Sequence, residues 1–339
     1  MGASRPHPDA EGTHASIWLL AGGYFLAYAP YAALTRSLTN GALGPSLSGL
    51  SILPISTFTS LVGMLAFLSV KRWWGLAHHS VVFGVRVPHP TKTTLVSGLA
   101  TAAVIATTTL SYTLEGTSIL VMMLFMRGGV LVLAPLVDLL TGRHVRWQSW
   151  VALGLSGLAL LLGVGGGETH VDALGGLVIG VYLFGYFLRL RLMSAAGKIE
   201  AADARRFFVE EQMVATPAVV AFLGAVAIVG AAPWMLEVRG GFTTPPPGLT
   251  TGLVVLVGLL SQATGIFGAL VLLDPRENAF CVPVNRASSV LAGVVASLAL
   301  AALGAGGAVP ARELAGAGLL VAAIVLLATS RGPVQPARR

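Results

Sequence analysis

The sequence predicts an all-α polytopic membrane protein: ten transmembrane helices in two inverted five-helix repeats, with the N- and C-termini cytoplasmic. Three observations predict it. Of 339 residues, 55% are hydrophobic and 10% charged, where soluble domains carry about 25% charge. The mean hydropathy is +0.81. The apolar residues gather into ten runs, each long enough to cross a bilayer at roughly 17–25 residues per span. Finally, residues of the second half repeat those of the first at a nearly constant offset, and the five spans between them make the second copy enter the membrane from the opposite side.

Residues 1–15 are a polar tail without the basic, apolar and small-residue order of a cleavable signal peptide, and Pro6 stands where N-myristoylation requires Ser or Thr. The first span covers 16–36 and the second 52–70. Between the second and third, KRWWGLAHHSVVFGVRVPHPTK mixes Trp73, Trp74, His78 and His79 with cations, which predicts a segment lying along the membrane interface. Adjacent histidines on one element point apart and no third ligand is near, so no metal site is expected. The third span is 93–112 and the fourth 117–140, TSILVMMLFMRGGVLVLAPLVDLL, with Arg127 near its middle. The fifth, 148–166, follows a short basic turn; the first repeat is therefore 16–166.

The second repeat, 173–329, holds spans at 173–193, 207–231, 249–273, 278–303 and 311–329, followed by a tail at 330–339. RGGFTTPPPG, ahead of the third of these, reads as a stiff extended connector, because its prolines cannot continue a helix. Pro30, Pro54, Pro217 and Pro283 fall inside spans and are expected to mark bends. With the N-terminus inside, sixteen of the 21 Lys and Arg residues fall on the cytoplasmic side, as the positive-inside rule requires. The net charge of +7 therefore encodes orientation and is no nucleic-acid footprint. Cys281 is the single cysteine, so there is no disulfide. Short tails and abundant Ala and Gly suggest a bacterial inner membrane, and the sequence is compatible with a homodimer.

The repeat is carried by particular residues. Tyr24 and Tyr28 fall on Tyr182 and Tyr186, Gly98 and Thr101 on Gly258 and Ser261, and Arg127 on Arg286, at offsets of 158 to 160. Inverted repeats of this kind build carriers in which a substrate binds near the midplane and rocking exposes it to either side. An arginine at bilayer depth stays charged and belongs in a protein interior or wet cavity. Asp138, eleven residues beyond Arg127, is ~16 Å away along the helix axis and out of direct reach. The other acids nearest the membrane, Glu210, Glu211 and Asp274, sit close to helix ends. Two midplane cations without matched acids leave a positive site that an anion would complete.

Ten spans in two inverted halves, with TSILVMMLFMRGG followed by LAPLVDLLTGRHVRWQSWVALGLSGLALLLGV, resemble the drug/metabolite transporter superfamily (EamA-like) over essentially the whole chain. Val284, Asn285 and Arg286 are similar to the Leu-Asn-Lys core of a ninth-helix motif of nucleotide-sugar transporters, and a basic residue on that helix is shared with triose-phosphate translocators. The family motif opens with Gly-Ala where this chain has Val282 and Pro283. The resemblance implies a substrate contact at Asn285 and Arg286 and a carrier with neither cofactor nor covalent chemistry. The first span lacks the glutamate on which the small multidrug exporters of the superfamily rely, which argues against proton-driven export of lipophilic cations.

Tyr24, Tyr28 and Tyr31 follow i, i+4, i+7 spacing, and Tyr182 and Tyr186 repeat the first two; their hydroxyls need partners away from lipid. Glu210 and Glu211 stand in the first turns of a helix beside Arg189, Arg191, Arg205 and Arg206. The bland role is that these basic residues anchor both; the functional alternative is proton coupling. The sequence thus predicts a non-enzymatic secondary transporter of a small anionic metabolite, phosphorylated or nucleotide-linked, binding at Arg127, Arg286, Asn285, Tyr24, Tyr28, Tyr182 and Tyr186. Two alternatives stand: a permease or exporter of amino acids or amphipathic metabolites with structural arginines, and a non-transporting membrane scaffold or lipid-binding protein.

Overall fold

The computed structural model describes residues 9–111, 119–164, 173–199, 201–305 and 311–329. The tail at 330–339, residues 1–8 of the N-terminal tail, and Thr117 and Ser118 lie outside them. Each of the ten apolar runs coincides with a helix: α1 Asp9–Thr39, α2 Gly49–Val70, α3 Lys92–Ser111, α4 Ile119–Leu140, α5 Trp147–Val164, α6 Ala173–Leu192, α7 Ala201–Val229, α9 Leu249–Leu272, α10 Asn278–Ala302 and α11 Ala311–Thr329. Among the described residues, six stretches are long and apolar enough to cross a membrane: Ile17–Thr39, Gly49–Val70, Ala173–Gly197, Ala202–Val229, Leu249–Leu272 and Asn278–Ala302. The chain is a multi-pass, helical membrane protein. Large apolar side chains such as Leu19, Leu26, Phe58 and Phe184 remain exposed on the spans because lipid is their solvent.

The structure departs from the sequence reading at two places. An eleventh helix, α8 (Pro233–Thr243), occupies part of the expected connector. Pro233 is preorganised for a first helical turn, and Arg239 folds back to donate to Ala227 O at 2.6 Å and Ile228 O at 2.8 Å, satisfying the C-terminal carbonyls of α7. The interfacial segment contains a short 3₁₀ turn, Trp73–Leu76, and a β-hairpin of β1 (His78–Val82) and β2 (Val85–His89). Val82 pairs with Val85 across Phe83 and Gly84, both at positive φ, the geometry of a tight two-residue hairpin turn. Pro30, Pro54, Pro217 and Pro283 lie inside helices, as does Pro135 of α4.

Packing places α1 against α9 and α10, α6 against α3 and α4, α2 against α9, α7 against α3, and α5 against α11. Glycines set the closest of these approaches. A Cβ on Gly98 would lie 2.9 Å from Glu211 O of α7, and one on Gly258 would lie 2.5 Å from Ser56 O of α2. Only a bare Cα lets the helix backbones come so near. The largest apolar core runs through α1, α4, α6, α7, α9 and α10, and includes Met122, Val130, Leu190, Phe208, Cys281 and Val284.

Candidate functional site

Four helices, α1, α4, α6 and α10, bring polar side chains toward one place in the core, and α9 lines it with Gly268. Arg127, on α4, and Arg286, in the third turn of α10, are both half-buried residues. Tyr24 of α1 lies within electrostatic reach of Arg286 and Arg127 together, and of Tyr28 and Tyr186. The Arg286 guanidinium stands 5.1 Å above the Tyr186 ring and its Nη2 donates to the Tyr182 hydroxyl at 3.4 Å. Tyr182 and Tyr186 are one helical turn apart with ring centroids at 4.9 Å; Tyr24 and Tyr28 repeat this on α1 at 5.7 Å, and Tyr31 extends the row at 5.6 Å from Tyr28. Asn285 donates from Nδ2 to Gly268 O at 3.2 Å. Gly268 itself admits Tyr24: a Cβ there would come within 2.9 Å of its ring.

Tyr24, Tyr28, Tyr182, Tyr186, Asn285 and Arg286 thus lie together, Arg127 is within electrostatic reach of Tyr24, and a residue that the sequence did not nominate, Gly268, makes room for the Tyr24 ring. Neither Arg127 nor Arg286 has a carboxylate partner among the described residues. Arg286 is steadied by the Tyr186 ring face and the Tyr182 hydroxyl, which hold a cation without neutralising it. The guanidinium fork thus keeps donors that two oxygens of a carboxylate or phosphate can take.

Glu211 is already engaged. It is fully buried and paired with Arg189 through two bonds of 2.9 Å, while Ser97 and Thr101 of α3 donate to its Oε1 at 2.6 and 3.1 Å. The expectation of a basic anchor from the sixth helix holds for Glu211. It fails for Glu210. That carboxylate turns to the hairpin instead, accepting from the His78 backbone N–H at 3.0 Å, the Thr91 N–H at 3.1 Å and the Thr94 hydroxyl at 2.7 Å, with His78 Nδ1 at 2.6 Å. Neighbouring residues on a helix point about 100° apart, so two adjacent glutamates meet different partners.

Below the cluster, where α4, α6 and α9 end, a buried polar layer closes the bundle. Asp138 accepts from the backbone N–H groups of Asn278 at 2.9 Å and Ala279 at 2.7 Å, capping α10, and from Asn278 Nδ2 at 2.8 Å. Arg143 donates to Pro275 O at 2.9 Å and Ser194 O at 3.3 Å, tying the α4–α5 turn to two other loops. Arg146 grips Glu277 at 2.8 and 3.2 Å. The Phe280 ring lies under two guanidiniums, Arg146 at 5.2 Å and Arg276 at 4.9 Å. Lys198 reaches Arg276 O at 3.0 Å. The sequence displayed the basic turn of Arg143 and Arg146, but that it meets Glu277 is a fact of packing. Two surface hollows lie apart from both layers: one of about 480 Å³ beside His79 and Arg86, and one of about 470 Å³ between Leu47, Glu237 and Pro246.

No family model matches the chain, and no curated protein sequence does. A solved structure described only as "Crystal structure of protein" is similar in fold, with a TM-score of 0.62 over 92% of this chain and 96% of that one, at 13% identity. The likeness extends over nearly the whole length and is one of fold alone.

Proposed function

We propose that this chain is a secondary carrier of a small anionic metabolite, of the phosphorylated or nucleotide-linked class, working by alternating access in the manner of the drug/metabolite transporter superfamily. The observation that carries the reading is the pair of guanidiniums, Arg127 and Arg286, which are both within electrostatic reach of Tyr24 and have no carboxylate partner among the described residues. An anion would supply the missing charge. Arg286 would take it through its planar fork, Arg127 would add the second cation, and Asn285, Tyr24, Tyr28, Tyr182 and Tyr186 would orient the rest.

The packing supports an inverted repeat. Exchanging α1 to α5 for α6, α7, α9, α10 and α11 turns the α1–α9 contact into α6–α3, α1–α10 into α6–α4, α2–α9 into α7–α3 and α4–α5 into α10–α11; α2–α7, α4–α10 and α5–α11 map onto themselves. Gly98 and Gly258 exchange likewise. On this reading ten helices span the membrane, α8 lies on the outer side, both termini are inside, and the layer of Asp138, Arg143, Arg146 and Glu277 is the cytoplasmic gate. Arg143 Nε and Asn278 Oδ1 are buried there without partners. A polar layer left partly unsatisfied gives up less when it opens.

The test is ligand binding by purified protein. A thermal-shift screen with phosphates, nucleotide sugars and amino acids should give a hit among the anions, since a ligand at 100 times its dissociation constant stabilises by about 2.7 kcal/mol. Counterflow with that labelled ligand in proteoliposomes should follow, and Arg286→Ala should lose both signals. Hits confined to zwitterionic amino acids, indifferent to Arg286→Ala, would make the arginines structural.

A further inference from the structure

The hairpin between α2 and α3 has chemistry that carriage of a metabolite does not use. Its register puts Val82, Val85 and Val87 on one face, and His79, Arg86 and Pro88 with Val81 on the other. Phe83, at the tip, is 102% exposed, Val81 69% and Val85 63%. A lone two-stranded hairpin is marginal in water and needs a surface to pack on. The tip residue is also an odd choice for its backbone. Phe83 has φ 51°, a left-handed conformation that Asn, Asp or Gly adopts with less strain than a bulky aromatic side chain.

What adjoins the hairpin is the membrane. It hangs between the end of α2, where Val70 is 81% exposed, and the start of α3, where Leu95, Val96 and Leu99 are exposed, so the lipid-facing stripes of both helices lead up to it. Its base is clamped at that level by buried Glu210, which holds His78 on one strand and Thr91 beyond the other. The segment from 71 to 92 contains Lys71, Arg72, Arg86 and Lys92, all exposed, and no acidic residue.

We propose that this hairpin is an interfacial anchor for anionic lipid: Phe83, Val82 and Val85 enter the boundary between headgroups and acyl chains, and Lys71, Arg72, Arg86 and Lys92 take the headgroup phosphates. Apolar side chains flanked by cations are the composition that binds such surfaces. The inference needs the chain to cross a membrane and does not depend on what it carries.

Phe83→Cys tests it directly. Cys281 is fully buried, so a spin label can be placed at position 83 in the native background, with the unsubstituted protein as control. The labelled protein is reconstituted into vesicles of phosphatidylcholine alone and of phosphatidylcholine with phosphatidylglycerol. Collision rates with oxygen and with a water-soluble nickel chelate report its depth. Expected is a label about 5–10 Å inside the interface in the anionic vesicles, favouring oxygen over nickel, and a shift toward water on Arg72→Gln with Arg86→Gln. A label equally open to nickel in both vesicles overturns the proposal. A label shielded equally in both, unmoved by the arginine substitutions, overturns its lipid-charge part. Efficient disulfide crosslinking of Phe83→Cys between copies, with a label immobilised regardless of lipid, assigns the surface to a second copy and overturns it as well.

Discussion

Both carboxylate oxygens of Asp138 face the first turn of α10, where Oδ1 accepts from the Asn278 N–H at 2.9 Å and Oδ2 from the Ala279 N–H at 2.7 Å. An acid at the end of one helix thus caps the start of another, 140 residues away. If the layer around it is a gate, this cap is a bond that must break when the gate opens.

Asp138→Ala should lower stability in detergent by about 2 kcal/mol or more, through the lost cap and the orphaned N–H donors. The native thiol provides a second measure. Cys281 lies in the same layer and is fully buried, so its reaction with a maleimide should be slow in the parent and several-fold faster in Asp138→Ala and in Glu277→Ala. Unchanged labelling in both variants would mean that these contacts do not hold the layer shut.

Arg189 and Glu211 are buried as a pair, and removing one partner strands the other. Arg189→Met should cost about 3–5 kcal/mol, and Arg189→Met combined with Glu211→Leu should recover most of it. An anchor of this kind is expected to take no part in proton movement. The pH dependence of transport should therefore persist in Glu211→Gln, provided the variant folds; its disappearance would make Glu211 a relay.

Gly98→Ala and Gly258→Ala should each destabilise by about 1–3 kcal/mol, because the new methyl meets backbone that cannot step aside. Gly154→Ala and Gly224→Ala are the controls. A Cβ at either has nothing within 4 Å, and helix propensity favours alanine by up to about 1 kcal/mol. Melting temperatures of the four variants, read together, test whether the two close approaches are equivalent.

Arg286→Lys should keep part of the affinity for an anionic ligand and Arg286→Ala none, with the melting temperature of the empty protein little changed in either. Lysine supplies the charge but not the planar fork. An alanine variant that melts far below the parent while its surviving fraction binds as before would remove Arg286 from the site.

Tyrosine spacing and the placement of two arginines were enough to nominate Tyr24, Tyr28, Tyr182, Tyr186, Arg127 and Arg286, because a buried cation or hydroxyl in an apolar run has few places to go, whereas Asn285 was nominated only by resemblance to a family motif. The ten helix positions were legible for the same reason: bilayer length and composition act on each run locally. The hairpin at 78–89 was missed because its strands alternate weakly and its turn is closed by Phe-Gly in place of the usual Asn-Gly. The helix α8 was missed because Arg239, which caps α7, reads in the sequence as one more loop cation.

What the sequence determined by itself is the class of molecule, a helical bundle in lipid with charge buried in both halves, since solvent preference and periodicity belong to each segment alone. The tertiary structure decided the partners. Glu210 and Glu211 are adjacent in the chain, yet one holds a hairpin and the other an arginine of α6. Asp138, which no local pattern distinguishes from an ordinary helix-end acid, becomes the cap of α10. Such choices depend on which helix ends and faces packing brings within about 3 Å, and that distance is a property of the assembled bundle.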